Sequence, residues 1–307
     1  MRIAVCLITY RRPDGLRRAL AALAAQELAG KAARVRIVVV DNDEEGSARA
    51  VCDAARAAMP WALDYAVEPR RGIPFARNRC VELARPDADW IGFVDDDEEP
   101  APDWLAELLR VQEAHDADVV TGPVVARFAG DVPAWAVKGR LFQRPRFPTG
   151  TRRNRAFTNN VLLRAAVFDR VQPHFDERMV MTGGSDAHFT RRVHRAGFRI
   201  VWADQAEVFE TFPVSRMAAR WIYQRAYRTG TTNAFIHRDL RPLPVAVPMI
   251  AGASIYRLVS GAVQAAAGSV VGRHWIVSGV RWVCYGAGLV VGLFGGRYDE
   301  YRRTHGA

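Results

Sequence analysis

The sequence predicts an α/β fold in which a mostly parallel sheet carries helices on both faces. Short apolar runs of strand length alternate with segments whose apolar residues recur at helical spacing, which is typical of parallel sheets. Several of these runs end directly in polar residues, as strands do at the ligand-binding edge of an open sheet. Half of the 307 residues are hydrophobic, which is enough for a large core.

The chain begins with a strand, a polar turn and a helix. The strand is Arg2 to Thr9, and Tyr10 and Arg12 lie in the turn that follows. Apolar side chains then recur at helical spacing, at Leu16, Ala19, Leu20 and Leu23.

Two more strands follow. The run 35–40, apolar except for Arg36, ends in Asp41 and Asn42, and Ser47 is placed to cap the next helix. Residues 62–67 form the third candidate strand. After it, Pro74 favours a helix start, with Arg77 in the first turn.

The run 90–94 stops at three consecutive carboxylates, Asp95, Asp96 and Asp97. Three adjacent like charges repel one another unless a cation compensates them, and grouped carboxylates suit Mg²⁺ or Mn²⁺ holding a phosphate. We therefore predict a metal and nucleotide role for Asp95 and Asp97. The alternative is an acidic turn before the helix expected over 102–115, and Glu98 and Glu99 fit that alternative equally well.

The segment 133–157 carries seven basic residues and no acidic one. Its lost periodicity predicts a long loop after a strand over 118–125, serving either as a lid facing phosphate or membrane or as a solvated flap. Asn159 and Asn160 follow. Their amides are suited either to hydrogen-bonding sugar hydroxyls or to closing a turn.

Asp186 follows a Gly-Gly turn and opens a helix expected to run to about Gly197. This position makes it the leading candidate for a general base, with a helix cap as the alternative. Strands over 198–202 and 206–209 and a helix capped at Ser215 come next.

The last part of the chain is rich in Ala, Val and Gly after an expected linker at 242–248. The uncharged run 282–296 is shorter than the ~20 residues needed to cross a bilayer, and basic residues interrupt the other apolar runs. This pattern favours helices in the membrane interface or a re-entrant hairpin, with a small helical subdomain as the alternative. We expect a catalytic domain over 1–230 and a membrane-associating helical region over 231–307.

The formal net charge of +10 predicts polyanionic partners: phosphates or an anionic membrane surface. We find no nucleic-acid motif and do not expect a nucleic-acid partner. The four cysteines show no metal-ligand spacing, and the amino-terminal apolar run is short for a signal peptide. The catalytic part is therefore expected in the cytoplasm, at the inner face of the membrane.

Five motifs in order resemble the inverting, nucleotide-sugar-dependent glycosyltransferases of family 2. They are Thr9-Tyr10-Arg11-Arg12, Val39-Val40-Asp41-Asn42, Gly72 with Ala76-Arg77-Asn78, Phe93-Val94-Asp95-Asp96-Asp97 and Gly183-Gly184-Ser185-Asp186. Within the family, residues 208–216 and 295–301 are similar to bacterial exopolysaccharide transferases, including those of succinoglycan synthesis.

The resemblance implies the Rossmann-like, A-type fold of that family and a role for each motif. Thr9, Tyr10, Arg12 and Asp41 would hold the nucleoside side of a nucleoside-diphosphate sugar, for which we expect a UDP-sugar. Arg77 would lie near the diphosphate, and Asp95 or Asp96 would contact the ribose or the ion. The same resemblance implies that Asp97 ligates Mn²⁺ or Mg²⁺ and that Asp186 takes the proton of an acceptor hydroxyl.

Two positions depart from the family pattern. Ser185 stands where an acid usually precedes the base, and Glu210 stands where many members have a histidine after the last strand. A third protein ligand of the ion is therefore not assigned, although the Glu210 carboxylate is a suitable oxygen ligand. Glu210 is also an acceptor-side candidate, together with Asn159 and Asn160. The three consecutive aspartates also leave the register of the metal motif open between Asp95/Asp97 and Asp96/Asp97.

The sequence thus predicts a metal-dependent, inverting glycosyltransferase of surface polysaccharide synthesis that acts on a lipid-linked or glycan acceptor. One alternative is a sugar nucleotidyltransferase, which would need a glycine-rich triphosphate loop after the first strand. The other is a non-catalytic basic module that binds membranes or nucleic acid.

Overall fold

The computed structural model describes residues 1–28, 30 and 33–298. Its largest element is an eight-stranded sheet in the order β3-β2-β1-β4-β9-β6-β10-β8. The strands are β1 (Arg2–Thr9), β2 (Arg34–Asp41), β3 (Ala62–Val67), β4 (Trp90–Phe93), β6 (Val119–Thr121), β8 (Arg152–Arg153), β9 (Val161–Arg164) and β10 (Ile200–Trp202). A second sheet has the order β5-β11-β7, with β5 (Glu98–Pro100), β7 (Val124–Phe128) and β11 (Val208–Phe212).

Ten α-helices surround the sheets in the described part of the chain. They are α1 (Pro13–Ala24), α2 (Arg49–Arg56), α3 (Ile73–Ala84), α4 (Trp104–His115), α5 (Ala134–Lys138), α6 (Ala166–Arg170), α7 (Ser185–Arg195), α8 (Ala219–Leu240), α9 (Leu243–Val271) and α10 (Arg273–Leu293). Short 3₁₀ turns lie at Arg85–Asp87, Glu177–Met179 and Val214–Met217.

The parallel part of the large sheet brings the polar strand ends together. β1 lies between β2 and β4 and is parallel to both, and Thr9 is directly opposite Asp41 in the register. Since β4 ends at Phe93, the aspartates leave the sheet beside Thr9. β9 runs antiparallel to its neighbours β4 and β6, so the sheet is mostly rather than wholly parallel.

Both faces of the large sheet are covered, as predicted. One core contains Leu20 of α1 and Trp104 of α4, and the other contains Cys80 of α3 and Phe189 of α7. All four of these side chains are fully buried or nearly so. The predicted α/β fold with helices on both faces of the sheet is therefore confirmed.

Several local expectations are corrected. Glu98 lies in the buried strand β5 rather than in an acidic turn. The predicted strand over 118–125 is split into β6 and β7, and the loop 133–157 contains α5 and β8. Ser47 caps no helix, because α2 begins at Arg49 with Ala48 at its cap. Ser215 lies inside a 3₁₀ turn, and α8 starts only at Ala219.

The carboxyl-terminal region is helical over a longer stretch than expected. The supposed linker is the first part of α9, with Pro248 inside the helix. α9 and α10, of 29 and 21 residues, are each long and apolar enough to cross a membrane by length and composition. The expected boundary after residue 230 falls inside α8, and the motif at 295–301 lies partly outside the described residues.

Glycines let these helices pack with their backbones in contact. A Cβ on Gly288 of α10 would lie 2.1 Å from the carbonyl oxygen of Tyr227 in α8. A Cβ on Gly279 would lie 2.5 Å from the carbonyl oxygen of Gly261 in α9. Close approach through small residues is typical of helices that pack within a membrane, and it makes α10 the central helix of this region.

Candidate active site

The carboxyl ends of β1 and β4 meet at a hydrogen bond between Thr9 and Asp96. The Thr9 hydroxyl donates to Asp96 Oδ2 at 2.7 Å, and both residues are buried. Arg12, in the turn after β1, donates from Nη1 to Asp96 Oδ1 at 3.3 Å and to Asp97 Oδ2 at 3.0 Å. Gly15 allows this proximity, because a Cβ there would lie 2.7 Å from the Asp96 carbonyl oxygen.

Beside the ends of β1 and β4, the helices α3 and α7 also contribute residues to the site. Arg77 Nη2 lies 3.6 Å from Asp95 Oδ1, and Nη1 of the same guanidinium donates to the Ser185 hydroxyl at 3.3 Å. Arg77 is buried, and its Nε has no hydrogen-bond partner among the described residues. The Ser185 hydroxyl therefore contacts an arginine that also lies beside Asp95.

Asp186 is half-buried at the start of α7, and its Oδ1 accepts a hydrogen bond from the backbone N–H of Ala187 at 2.7 Å. Its negative charge contributes to raising the pKa of Asp95, so the two carboxylates share one electrostatic environment. Gly184, with φ of 83°, provides the left-handed turn before the helix. The structure thus brings the base candidate to the edge that carries the triple aspartate.

α3 is positioned by Asn42. The Asn42 side chain accepts from the N–H of Gly72 at 2.7 Å and donates to the carbonyl oxygens of Glu68 and Arg70. These bonds tie the end of β2 to the turn that starts α3, where Gly72 has φ of 148°. Asn42 therefore acts on the site indirectly, by fixing the helix that carries Arg77.

On the nucleoside side, Asp41 is fully buried. Its carboxylate accepts from the N–H groups of Asp43 and Ala48 and from the Tyr65 hydroxyl at 3.0 Å. Asp41 therefore holds the loop after β2, and its contact with a nucleoside stays a prediction. Tyr10 is half-buried, with the Arg71 guanidinium 5.0 Å from its ring centroid.

Two acidic residues from the small sheet complete the cluster. Glu98 and Glu210 are register partners on β5 and β11, and both are buried. The sequence favours a turn at Glu98, because a strand of three residues that begins with two charges has no readable periodicity.

Two arginines from outside the α-helices and strands reach Glu210, and no local sequence pattern marks either of them. Arg144, in the basic loop, donates to Glu210 Oε2. Arg216 Nη1 lies 3.4 Å from Glu210 Oε1 and 3.8 Å from Asp97 Oδ2, so it stands between the two carboxylates. The basic loop thus reaches the site through Arg144, as the lid alternative requires.

The two asparagines have different surroundings. Asn159 donates to Glu98 Oε1 at 2.9 Å. Asn160 is 1% exposed, accepts from the Trp104 indole and donates to the carbonyl oxygens of Pro123 and Ala206. All of these bonds are internal to the fold, which agrees with the turn alternative for Asn160, and its contact with an acceptor stays a prediction.

The site is electrostatically strained by its own carboxylates. Burial raises the pKa of Asp95, Asp96 and Glu98 above the usual range, and repulsion between neighbouring carboxylates adds to each rise. Arg12 and Arg77 oppose part of this effect. A hard divalent cation would relieve the remaining repulsion, and oxygen donors suit Mg²⁺ or Mn²⁺, so these residues fit the metal that the sequence predicted.

A second group of possible metal ligands, Asp176, His188 and Asp239, joins the 3₁₀ turn at 177–179, α7 and α8. Its ligand atoms lie within 4.8 Å of one another. Arg178 donates to both carboxylates, and His188 Nε2 is 2.8 Å from Asp239 Oδ2. Because the arginine already supplies positive charge, the geometry is that of an ion-pair network joining α7 to α8.

Comparison with known proteins gives consistent matches. The model of glycosyl transferase family 2 matches residues 4–169. The succinoglycan biosynthesis protein ExoM of Rhizobium meliloti (strain 1021) is 35% identical over 232 residues, which cover 75% of this chain and 73% of ExoM.

Solved structures match in fold. The mannosyltransferase PcManGT from Pyrobaculum calidifontis, in complex with GDP-Man and Mn²⁺, has a TM-score of 0.63 at 17% identity, covering 95% of this chain and 87% of PcManGT. S. aureus TarS 1–349, in complex with UDP-GlcNAc, has a TM-score of 0.56 at 15% identity, covering 97% of this chain and 93% of that one. In a longer TarS structure the match covers 40% of the TarS chain. At such low identities the likeness is one of fold.

Proposed function

Because the chain belongs to glycosyl transferase family 2 and is a glycosyltransferase, we propose that it moves a sugar from a nucleoside-diphosphate sugar to a lipid-linked or glycan acceptor in surface polysaccharide synthesis. The observation that carries the proposal is the meeting of Thr9, the triple aspartate, Arg77 and the start of α7 at one edge of the sheet. The polysaccharide context is supported by the likeness to ExoM, and the donor class by the ligands named for PcManGT and TarS.

We propose that Asp95 and Asp97 hold Mn²⁺ or Mg²⁺, with Asp96 as a structural residue. Asp96 is turned inward to Thr9, whereas the side chains of Asp95 and Asp97 are 34% and 25% exposed. This alternation supports the Asp95/Asp97 register. When bound, such an ion supplies positive charge against the diphosphate of the donor.

The side chains of the protein would stabilise the leaving diphosphate and accept the proton of the acceptor. Arg77 and Arg12 provide guanidinium groups at the same edge, where the leaving diphosphate accumulates charge. Asp186 takes the proton of the acceptor hydroxyl while the acceptor oxygen attacks the anomeric carbon of the sugar. The bond between the anomeric carbon and the diphosphate oxygen breaks on the opposite side. Attack opposite the leaving group inverts the anomeric centre, so a single carboxylate base is sufficient.

The proposed metal role predicts a metal-dependent rescue of stability. Replacing Arg216 by methionine removes the cation between Asp97 and Glu210, and we expect a loss of about 2 kcal/mol in the free energy of unfolding in EDTA. Mn²⁺ is expected to restore much of that loss, because it supplies the missing charge. Urea denaturation with and without Mn²⁺ measures both effects.

The matched control is Arg110→Met. Arg110 pairs with Glu107 on the exposed face of α4, and its removal is expected to cost less than about 0.5 kcal/mol with or without the ion. An equal loss for Arg216→Met in EDTA and in Mn²⁺ would contradict an ion near Asp97.

We propose that the protein acts at the cytoplasmic face of the membrane, held there by α9 and α10. The sequence 243–298 contains four arginines, one histidine and no acidic residue. The outer face of α9 exposes large apolar side chains, among them Ile255, Val259, Val263 and Val270. Two of the arginines in these helices contact the Trp282 indole. The guanidinium groups of Arg257 and Arg281 lie 3.8 Å and 4.7 Å from the centroid of its ring.

Membrane association predicts that a charge on the outer face of α9 weakens vesicle binding. We expect Val263→Asp to reduce flotation with phosphatidylglycerol vesicles at least about tenfold, because a carboxylate on that face must be desolvated and is repelled by anionic lipid. The control is Val214→Asp, since Val214 and Val263 are both 64% exposed and Val214 lies outside α9 and α10. Equal flotation of the two variants would contradict the role of α9.

A further inference from the structure

Four basic groups lie together beside α7 without an acidic partner. They are Arg155 at the end of the basic loop, Arg191 on α7, His237 on α8 and Arg241 just after α8. None of the four forms an ion pair with a carboxylate in the described part of the chain, whereas most arginines near the catalytic edge do. The buried Arg191 Nη1 has no hydrogen-bond partner there.

The fold holds these groups together through backbone contacts. The Thr190 hydroxyl accepts from the N–H of Ala156 at 3.0 Å and donates to its carbonyl oxygen at 2.8 Å. This pair of bonds fixes the segment with Arg155 beside α7. Arg195 donates to the Leu240 carbonyl oxygen, which fixes α7 beside the end of α8. The backbone segments that carry the cluster are therefore held side by side by the fold.

The cluster is held against electrostatic repulsion. Burial lowers the pKa of Arg191 to about 10, with the positive charges of Arg155 and Arg241 adding to the effect. Burial and the same arginines, together with Arg191, lower the pKa of His237 to about 4. His237 is therefore neutral at neutral pH, and its Nδ1 accepts a hydrogen bond from the Arg241 guanidinium. The three partly buried guanidinium groups still have no carboxylate partner among the described residues, which costs stability, and a bound anion would offset that cost.

The position of the cluster points to the acceptor. Arg191 is five residues after Asp186 on the same helix, a rise of about 7.5 Å along the axis. On its other side, Asn233 of α8, four residues before His237, donates a hydrogen bond to the Tyr285 hydroxyl of α10 at 3.1 Å. The cluster thus lies between the base candidate and the helices assigned to the membrane, while the donor diphosphate is assigned to Arg12 and Arg77.

We propose that Arg155, Arg191, His237 and Arg241 form a binding site for a phosphate or diphosphate group, which we assign to the lipid-linked acceptor. The assignment to an acceptor rests on the function proposed above, whereas the phosphate chemistry rests on the cluster alone. Guanidinium groups bind phosphate oxygens by charge-assisted hydrogen bonds, and the unpartnered Arg191 Nη1 is one such donor.

The test is calorimetric binding of inorganic pyrophosphate in EDTA, where a metal-dependent donor site does not contribute. We expect Arg191→Gln to weaken pyrophosphate binding at least about tenfold, since one charge-assisted contact is lost. Arg110→Gln, which removes the same charge from an exposed pair on α4, is expected to leave it unchanged. Arg155→Gln serves as the second variant and is expected to act like Arg191→Gln.

Two further measurements separate the possible outcomes. The part of UDP binding that requires Mn²⁺ and disappears in EDTA reports on the donor site. Its absence in the wild-type protein would count against the proposed function and not against this cluster. Vesicles of phosphatidylglycerol and of phosphatidylcholine distinguish the source of the phosphate. If vesicle binding depends on Arg191 only with phosphatidylglycerol, the site is assigned to a lipid headgroup instead of the acceptor.

Thermal melting guards against a folding defect. Removal of an unpaired cation is expected to leave the melting temperature of Arg191→Gln without pyrophosphate unchanged or higher, while the pyrophosphate-induced rise seen in wild type is lost. Equal pyrophosphate affinity and equal vesicle binding in wild type and both variants would overturn the proposal.

Discussion

Asp186→Asn is expected to lower kcat at least about a thousandfold while donor affinity changes by less than about threefold. A general base contributes on the order of 10² to 10⁴ to rate, and asparagine cannot accept the proton of the acceptor hydroxyl. Asparagine keeps an oxygen that can accept from the Ala187 N–H, so the start of α7 should be preserved. Steady-state transfer kinetics with a separate donor titration provide the measurement.

Ser185→Ala is the neighbouring control for Asp186. It removes the hydroxyl that accepts from Arg77 and leaves the carboxylate in place, so its effect should be far smaller. A kcat for Asp186→Asn within tenfold of wild type would assign the base to another residue.

Asp97→Ala is expected to abolish the effect of Mn²⁺ on donor binding and to reduce kcat at least about a thousandfold. The substitution removes a carboxylate that we assign to the ion, and charge stabilisation of the leaving group is usually the largest single contribution to such reactions. Isothermal titration with UDP, in Mn²⁺ and in EDTA, measures the coupling directly.

Glu99→Ala is the matched control for Asp97. Glu99 lies two residues further on, and its carboxylate is bound by Arg18 at 3.2 Å and Arg127 at 3.7 Å. The same charge is removed, yet the Mn²⁺ dependence should remain. Activity that survives both EDTA and Asp97→Ala would reject the metal role altogether.

The catalytic edge could be predicted because it follows from strand ends. β1, β2 and β4 are mostly apolar runs that stop at Thr9, Asp41 and Asp95, and parallel register places such ends side by side. The family resemblance added the order of the motifs, and the match of residues 4–169 to the model of glycosyl transferase family 2 confirms the family. Fold class and family were therefore available before any coordinates.

The remainder of the site depends on contacts that no local pattern encodes. Glu98 and Glu210 become neighbours only when β5 and β11 pair, across more than a hundred residues of sequence. Arg144 and Arg216 lie in segments without regular periodicity, so only the folded chain shows which carboxylates they reach.

The first turns of α9 were assigned to a linker for a different reason. Proline lacks a backbone donor and usually ends a helix, which favoured a linker over 242–248. Pro248 lies near the start of a helix of 29 residues, where the loss of one bond is outweighed by the turns that follow. A single proline was therefore a poorer guide to the start of the helix than the length of the apolar run.

Arg216 affects the order in which the metal ion and the nucleotide would bind. Its guanidinium already acts as a resident counter-ion between Asp97 and Glu210. Under the proposed mechanism, loading the free protein exchanges one cation for another, so little affinity is gained. The donor changes this balance, because its diphosphate offers the displaced guanidinium a new partner. Ion and nucleotide would then enter as a pair rather than in sequence.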